Sequence, residues 1–406
     1  MTYLLDLGTN KVACLAAELS ERGDVIAKAA AHAPCRGLHR SVVSDLEQTA
    51  EAIEDVIRRV RTSTGEHPST IVVTVGGAHL ESMNSQGFVP IYPRSRMITR
   101  EDVLHVINHS RQILPAPDRE QIHALPREFR VDGEKGIQKP IGLSGGRLEV
   151  VTHIITGAIT HLQNIEKAVQ MAGFKVDQIV AQPLASGLGV VTEEDRELGT
   201  VSVDIGGGST SISVFQGGSL AYSAVVPVGG NLVTSDLSKL LKCSPEESER
   251  LKIAYGCALS SMADGKGSVE VLQIGQSQPR HLDRRVLAEI IESRMREIAT
   301  LVRQQIERSG LNGVLPGGVI LTGGGSLLPG AQELFESTLQ HMQVRLGRPK
   351  ISGPYAGHVN KPEWAGAVGT AKYVLQHEED EISPASGIEN WKLKIRTLKA
   401  IFSTKA

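Results

Sequence analysis

The chain has 406 residues, too many for one hydrophobic core, so two or more domains are expected. It is 40% hydrophobic and 22% charged, and a net charge of −2 excludes a polycation that coats nucleic acid. Aromatic residues at 3% argue against a base-stacking nucleic-acid binder, and no apolar run approaches the roughly 20 residues of a membrane span. Cys14, Cys35, Cys243 and Cys257 show no Cys-x-x-Cys spacing and read as reduced, buried thiols of a cytoplasmic protein. No basic segment followed by an apolar run opens the chain, so no signal peptide is expected.

Apolar–polar alternation across glycine turns predicts strands over 3–8, 11–18 and 24–31. Helical spacing of Leu46, Ala50, Ile53, Val56, Ile57 and Val60 predicts a helix over 45–63, with Ser44 or Asp45 as its N-cap. TIVVTVGG reads as a buried strand. Residues 82–156 read as a loop-rich inserted subdomain around one helical stretch at 99–113. Helices follow over 161–173, 246–260 and 283–309, with strands over 175–182, a strand pair near 268–282, and the buried strand GVILTGG. PLASGLGVV reads as a helix, and another begins near 329. WAGAVGTAKYVL, 364–375, is a small-residue helix suited to close packing. QHEEDEISPASG, 376–387, reads as an acidic linker.

Three stretches share a grammar of strand then glycine turn: YLLDLGTNKV, VSVDIGGGSTSISVF and GVILTGGGS. Glycine lets the main chain bend tightly and approach a ligand, and the N–H groups of such a bend form a nest for phosphate. The hydroxyls of Thr9, Ser209 and Thr210 are candidate further donors. Asp6 and Asp204 end their strands beside these turns, where a carboxylate would hold a hydrated divalent ion on a polyphosphate. Neither GxxxxGK[ST] nor GxGxxG after a strand is present. One glycine turn is equally a plain hairpin, but two matched Asp-x-Gly turns and a third glycine turn point to a nucleotide.

LLDLGTNKV and VSVDIGGGSTSISVF resemble the two phosphate loops of the actin, sugar-kinase and heat-shock ATPase fold. VILTGGGSLLPG resembles its adenosine motif, and VAQPLASGLGV and EWAGAVGTAKYVL its two connecting helices. The resemblance implies an α/β fold of two similar lobes with ATP and Mg2+ between them. It assigns nucleotide contacts to Gly8, Thr9, Asn10 and Lys11, to Gly206, Gly207, Gly208 and Ser209, and to Gly323, Gly324, Gly325 and Ser326. Glu249 and Lys252, an i, i+3 pair, would meet the adenosine, although the same pair could be an exposed helix ion pair. Metal would lie by Asp6 and Asp204. Gln182 and Asp204 would be the catalytic residues. A glutamine can position water but is a poor base, so weak hydrolysis, or none, is expected.

VDIGGGSTSISVFQGGSLAYSAVVPVGGNLVTSDLSKLL and LKIAYGCAL resemble in particular the FtsA family of bacterial actin-like cell-division proteins. The resemblance implies a first lobe core over 1–81 with 157–195 and 361–375, and an inserted subdomain over 82–156. A second lobe core over 196–230 with 305–360 would carry a small subdomain over 231–304. It further implies self-assembly into filaments, and contacts of 82–156 with other division proteins. It implies capture of the FtsZ C-terminal peptide by the 231–304 subdomain, through Arg285, Arg294 and Glu297 of IIESRMREIATLV and its surroundings, a face that could equally be solvated. A pilus-assembly adaptor of the PilM type, or a small-molecule kinase of the same fold, is the alternative.

The C-terminal 388–406 carries Ile388, Trp391, Ile395, Leu398 and Phe402 at alternating steps of 3 and 4, one apolar stripe on a helix. Lys392, Lys394, Arg396 and Lys399 rim it. A basic amphipathic helix with Trp and Phe on its apolar face reads as an in-plane membrane anchor, against a docking helix as the alternative. With the family resemblance this predicts a peripheral protein on the cytoplasmic membrane face at the division site.

Overall fold

A computed structural model describes residues 1–382 except 94–95, 113–114, 264–266, 312–314 and 341. The predicted anchor at 388–406, with Ile388, Trp391, Lys392, Lys394, Ile395, Arg396, Leu398, Lys399 and Phe402, lies outside the described residues, as does 383–387 of the linker.

The chain opens with the meander β1 (Thr2–Leu7), β2 (Lys11–Leu19) and β3 (Val25–Pro34), then a short hairpin of β4 (Leu38–His39) and β5 (Val42–Val43). Helix α1 (Leu46–Thr64) starts where Asp45 accepts the N–H of Gln48 and ends at Gly65, which adopts φ 74°. β6 (Thr70–Val75) follows as a strand parallel to β1. After the insertion come α3 (Ile159–Met171) and β11 (Lys175–Ala181). The sheet order is β11-β6-β1-β2-β3. Tyr3, Leu4 and Leu5 of β1 form an apolar run because both faces of the strand are covered. Tyr3, Leu5 and Leu7 pack with Ile53, Ile57 and Leu162 of α1 and α3. Leu4 turns to the other side, among Leu184, Ala367 and Val368.

The inserted segment differs from its loop-rich reading. It contains β7 (Glu81–Pro90), α2 (Arg100–Arg111), β8 (Arg119–Val131), β9 (Glu134–Ile137) and β10 (Arg147–Ala158). The predicted helix is there, but four strands form an antiparallel sheet, β7-β10-β8-β9. One face packs Val103, Val106 and Ile107 of α2 against Phe129, Leu148 and Val150. The other face meets the second lobe through polar groups. Ser82 Oγ donates to the Ser223 carbonyl at 2.6 Å, and Asn84 Nδ2 to the Ala221 carbonyl at 3.2 Å.

After α4 (Gln182–Val190) and α5 (Glu193–Leu198), the first architecture repeats. β12 (Thr200–Ile205), β13 (Thr210–Gln216) and β14 (Ser219–Val226) form a second meander. α6 (Gly230–Leu241), α7 (Pro245–Tyr255), the hairpin of β15 (Ser268–Val271) and β16 (Arg280–Asp283), and the long α8 (Arg284–Arg308) come next. β17 (Val319–Thr322), α9 (Ala331–Leu339) and β18 (Val344–Leu346) complete the lobe, with sheet order β14-β13-β12-β17-β18. Both large sheets therefore have an antiparallel meander extended by two parallel strands on the side of the first strand.

The short α10 (Ala356–Val359) precedes α11 (Ala365–Ile382), which crosses α4 with backbone in contact. A β-carbon on Gly369 would lie 1.7 Å from the Ala185 carbonyl oxygen, so only glycine allows this crossing. α11 continues to Ile382, past residue 376 where the linker is predicted to start. The four cysteines are free and buried.

Candidate functional site

The β1–β2 and β12–β13 turns are the same structure built twice. Gly8 N–H donates to the Lys11 carbonyl at 3.0 Å, and Gly206 N–H to the Ser209 carbonyl at 3.0 Å. They face one another across a cavity of about 540 Å3, within the usual range for small-molecule sites. Their approach is close. A β-carbon on Gly207 would lie 2.7 Å from Asn10 Nδ2, and one on Gly208 2.3 Å from Thr9 Oγ1. Asn10 and Asn231, at the start of α6, exchange two amide hydrogen bonds of 2.7 Å across the cleft.

Asp6 and Asp204 stand at the cleft floor at the ends of β1 and β12. Burial raises the Asp6 carboxyl to about 7, opposed by Lys11. Burial also raises Asp204, opposed by the amide of Gln182, whose Nε2 donates to Asp204 Oδ2 at 2.8 Å. Gln182 is the first residue of α4, so helix and strand ends fix its position. Its amide oxygen remains an acceptor that could orient a water. Two desolvated carboxylates short of positive charge suit a divalent cation. Among the described residues no three His, Cys, Asp or Glu side chains converge as a metal cage. An ion here would need water and phosphate oxygens to complete its shell.

Lys11 lines the cleft, but its ammonium does not point freely into it. Nζ donates to the Glu363 carbonyl at 2.9 Å and lies 5.1 Å from the Trp364 ring centre. Burial lowers its pKa, which Asp6 opposes.

At the other end of the cavity, Lys252 Nζ donates to Thr234 Oγ1 at 2.9 Å and pairs with Glu249 Oε2 at 2.6 Å. Thr234 also donates to Glu249. The pair is therefore anchored between α6 and α7 beside the cleft rather than standing on an exposed helix face. Gly323, Gly324 and Gly325 also line the cavity. Gly323 has φ 80°, and a β-carbon there would lie 2.2 Å from Asp204 Oδ1. Ser326 Oγ closes the turn on the Gly323 carbonyl at 2.7 Å. Thr210 corrects an expectation. It is fully buried in β13 and donates to the Val228 carbonyl at 2.7 Å, so it is no phosphate donor. Sequence reasoning missed Asn231, Thr234 and Ser41, all cleft partners that only the fold brings near.

Arg285, Arg294 and Glu297 lie on α8, away from the cleft lining. Arg294 is held by Asp236, with Nε–Oδ2 at 2.7 Å, and donates to Glu297. Arg285 reaches Glu289 at 3.5 Å.

Two lobes of one repeated topology, with twin glycine turns facing across a cleft, define an actin-like nucleotide-binding fold. Solved structures agree. The PilM–PilN type IV pilus biogenesis complex aligns with a TM-score of 0.65 at 17% identity, over 92% of this chain and 98% of that one. MreB5 of Spiroplasma citri bound to ADP aligns with a TM-score of 0.57 at 13% identity, over 94% and 98%. In this chain the glycine turns leave open space along the cleft, and the paired carboxylates of Asp6 and Asp204 stand at its floor.

Within that class the chain belongs to the FtsA family of cell-division proteins. The model of cell division protein FtsA matches residues 201–369, and that of the SHS2 domain inserted in FtsA matches 77–156. It is 37% identical to cell division protein FtsA of Pseudomonas aeruginosa over 93% of this chain and 90% of that protein. The Escherichia coli K12 protein of the same description is 35% identical over 91% and 89%. Among the described residues no helix is long and apolar enough to cross a membrane.

Proposed function

We propose that this protein binds ATP with Mg2+ in the interlobe cleft, assembles into filaments, and tethers the FtsZ ring to the cytoplasmic membrane face at the division site. The observation that carries the nucleotide part is the pair of equivalent glycine turns bridged by Asn10 and Asn231. A ligand spanning both turns would fasten one lobe to the other and so set the shape that polymerises. Gly8, Thr9, Asn10 and Gly206–Ser209 would hold the phosphates, Asp6 and Asp204 the hydrated metal. Glu249, Lys252 and Gly323–Gly325 would hold the nucleoside. Family membership supports the division role. The apolar stripe and basic rim of 388–406 support the membrane contact, and the arginines of α8 support capture of an acidic FtsZ peptide. Each basic tail residue adds about 1 kcal/mol near an anionic surface. One tail then binds reversibly, and a filament carrying many tails binds far more tightly.

Gln182 can position a water but is a poor base, so turnover is expected to be weak, and the protein is primarily an assembly and anchoring device. The test is titration of the purified chain with Mg-ATP, followed by sedimentation. Saturable binding and ATP-dependent pelleting support the proposal. Phosphoryl transfer to small hydroxy compounds, with no assembly, would favour the kinase alternative.

A further inference from the structure

The turn joining β4 to β5 is unused by the nucleotide contacts above, yet its conformation is unusual. Leu38 pairs with Val43 and His39 with Val42, leaving Arg40 and Ser41 as a two-residue loop. Their φ angles are 48° and 64°. Positive φ at both loop residues defines the type I′ hairpin turn, which Asn-Gly adopts readily. Arg and Ser carry β-carbons, so left-handed backbone is disfavoured at both and persists only where surroundings enforce it.

The enforcing surroundings are the phosphate turns. Ser41 is only 8% exposed. Its N–H donates to Thr9 Oγ1 at 2.9 Å. Its Oγ lies 3.3 Å from Thr9 Oγ1 and 3.3 Å from Ser209 Oγ. A β-carbon on Gly208 would lie 2.7 Å from the Arg40 Cα, so the second phosphate turn has room for this loop only because it is glycine. Ser41 thus sits between one hydroxyl from each lobe. Hydroxyl pairs usually settle near 2.7–2.8 Å. At 3.3 Å these contacts are weak, and each proton can turn to a better acceptor in the cavity that all three residues line. Ser41 also marks a particular end of that cavity. A β-carbon on Gly76 would touch both Ser41 Oγ, at 3.6 Å, and Gln182 Cβ, at 3.4 Å. This is the end of the cavity that Gln182 lines.

We propose that Ser41 is a specificity residue of the cleft, whose hydroxyl, held by the I′ turn between Thr9 and Ser209, donates to the terminal phosphate of a nucleoside triphosphate. The inference rests on the nucleotide reading and deepens it. Ser41 would distinguish triphosphate from diphosphate, because only the former places charged oxygens at the Gln182 end.

The test compares the intact wild-type chain with Ser41→Ala and Ser41→Gly, titrated with Mg-ATP and Mg-ADP. Ala removes the hydroxyl and keeps the β-carbon. Gly removes the hydroxyl and relieves the left-handed backbone. Both variants are expected to bind ATP about tenfold more weakly, the worth of one hydrogen bond to a charged group. ADP affinity should change less than about twofold in either variant. The melting temperature of Ser41→Gly should exceed that of Ser41→Ala. Unchanged ATP affinity in both variants overturns the assignment, as does equal weakening for ATP and ADP. A wild type that binds neither nucleotide refutes the nucleotide reading itself, and with it the ligand this assignment requires.

Discussion

His153 gives a pH dependence that can be worked from the structure. It lies on β10, where the inserted sheet meets the second lobe, and is 1% exposed. Asn84 donates its amide to the Ala221 carbonyl, so its Oδ1 faces His153 Nδ1 at 2.9 Å. Nδ1 therefore carries the ring proton, and Nε2 accepts from Ser223 Oγ at 2.9 Å. Burial lowers the His153 pKa to about 3, helped by the nearby charges of Arg127 and His123. An unfolded histidine titrates near 6.5. Above pH 6.5 the ring is neutral in both states and its network is intact. Below that the unfolded chain takes up a proton that the folded chain refuses, so stability falls with pH until the folded pKa is reached. The slope is about 1.4 kcal/mol per pH unit, which gives about 1.4 kcal/mol lost at pH 5.5. His153→Gln keeps a donor and an acceptor but does not titrate. Urea unfolding of both proteins at pH 7.5 and 5.5 measures the difference. Wild type should lose about 1.4 kcal/mol more than the variant over that interval. Equal losses would refute the buried neutral network.

Other changes test the cleft and α8. Asn231→Ala removes the amide exchange with Asn10; at about 1 kcal/mol for the pair, nucleotide should dissociate about fivefold faster, as read by stopped-flow release. Gly323→Ala forces a β-carbon onto Asp204 at a left-handed position; it should cost about 1–2 kcal/mol from the backbone alone and abolish Mg-ATP binding, measured by thermal unfolding and titration. Arg294→Glu should abolish binding of the FtsZ C-terminal peptide, whereas Asp236→Asn, which releases the guanidinium from its ion pair, should tighten it, both read by fluorescence anisotropy.

What the sequence made legible was local and periodic. The glycine turns were readable because strand, Asp and glycine lie together in the chain, and α1 and α8 because their apolar residues recur at helical spacing. The inserted sheet was not. β8, REQIHALPREFRV, carries Pro126 and charged residues, and its register with β10 shifts twice, which blurs the alternation that marks a strand. α6 was hidden because GNLVTSDLSKLL begins with glycine and is capped by Gly229 without a side-chain bond. Asn231, Thr234 and Ser41 act through partners distant in sequence, so neither motif nor period marks them. Thr210 failed for the converse reason. Its neighbour Ser209 faces the cleft, and one step along the chain turns the side chain away.

The membrane tether is tested most directly by co-sedimentation with anionic vesicles and Mg-ATP. The intact chain is compared with a truncation after Gly387, in the presence of labelled FtsZ C-terminal peptide. The intact chain should carry the peptide into the pellet, and the truncation should leave it in solution. If the truncation pellets the peptide as well as the intact chain does, or if neither does, then 388–406 is not the anchor and the tether account is contradicted.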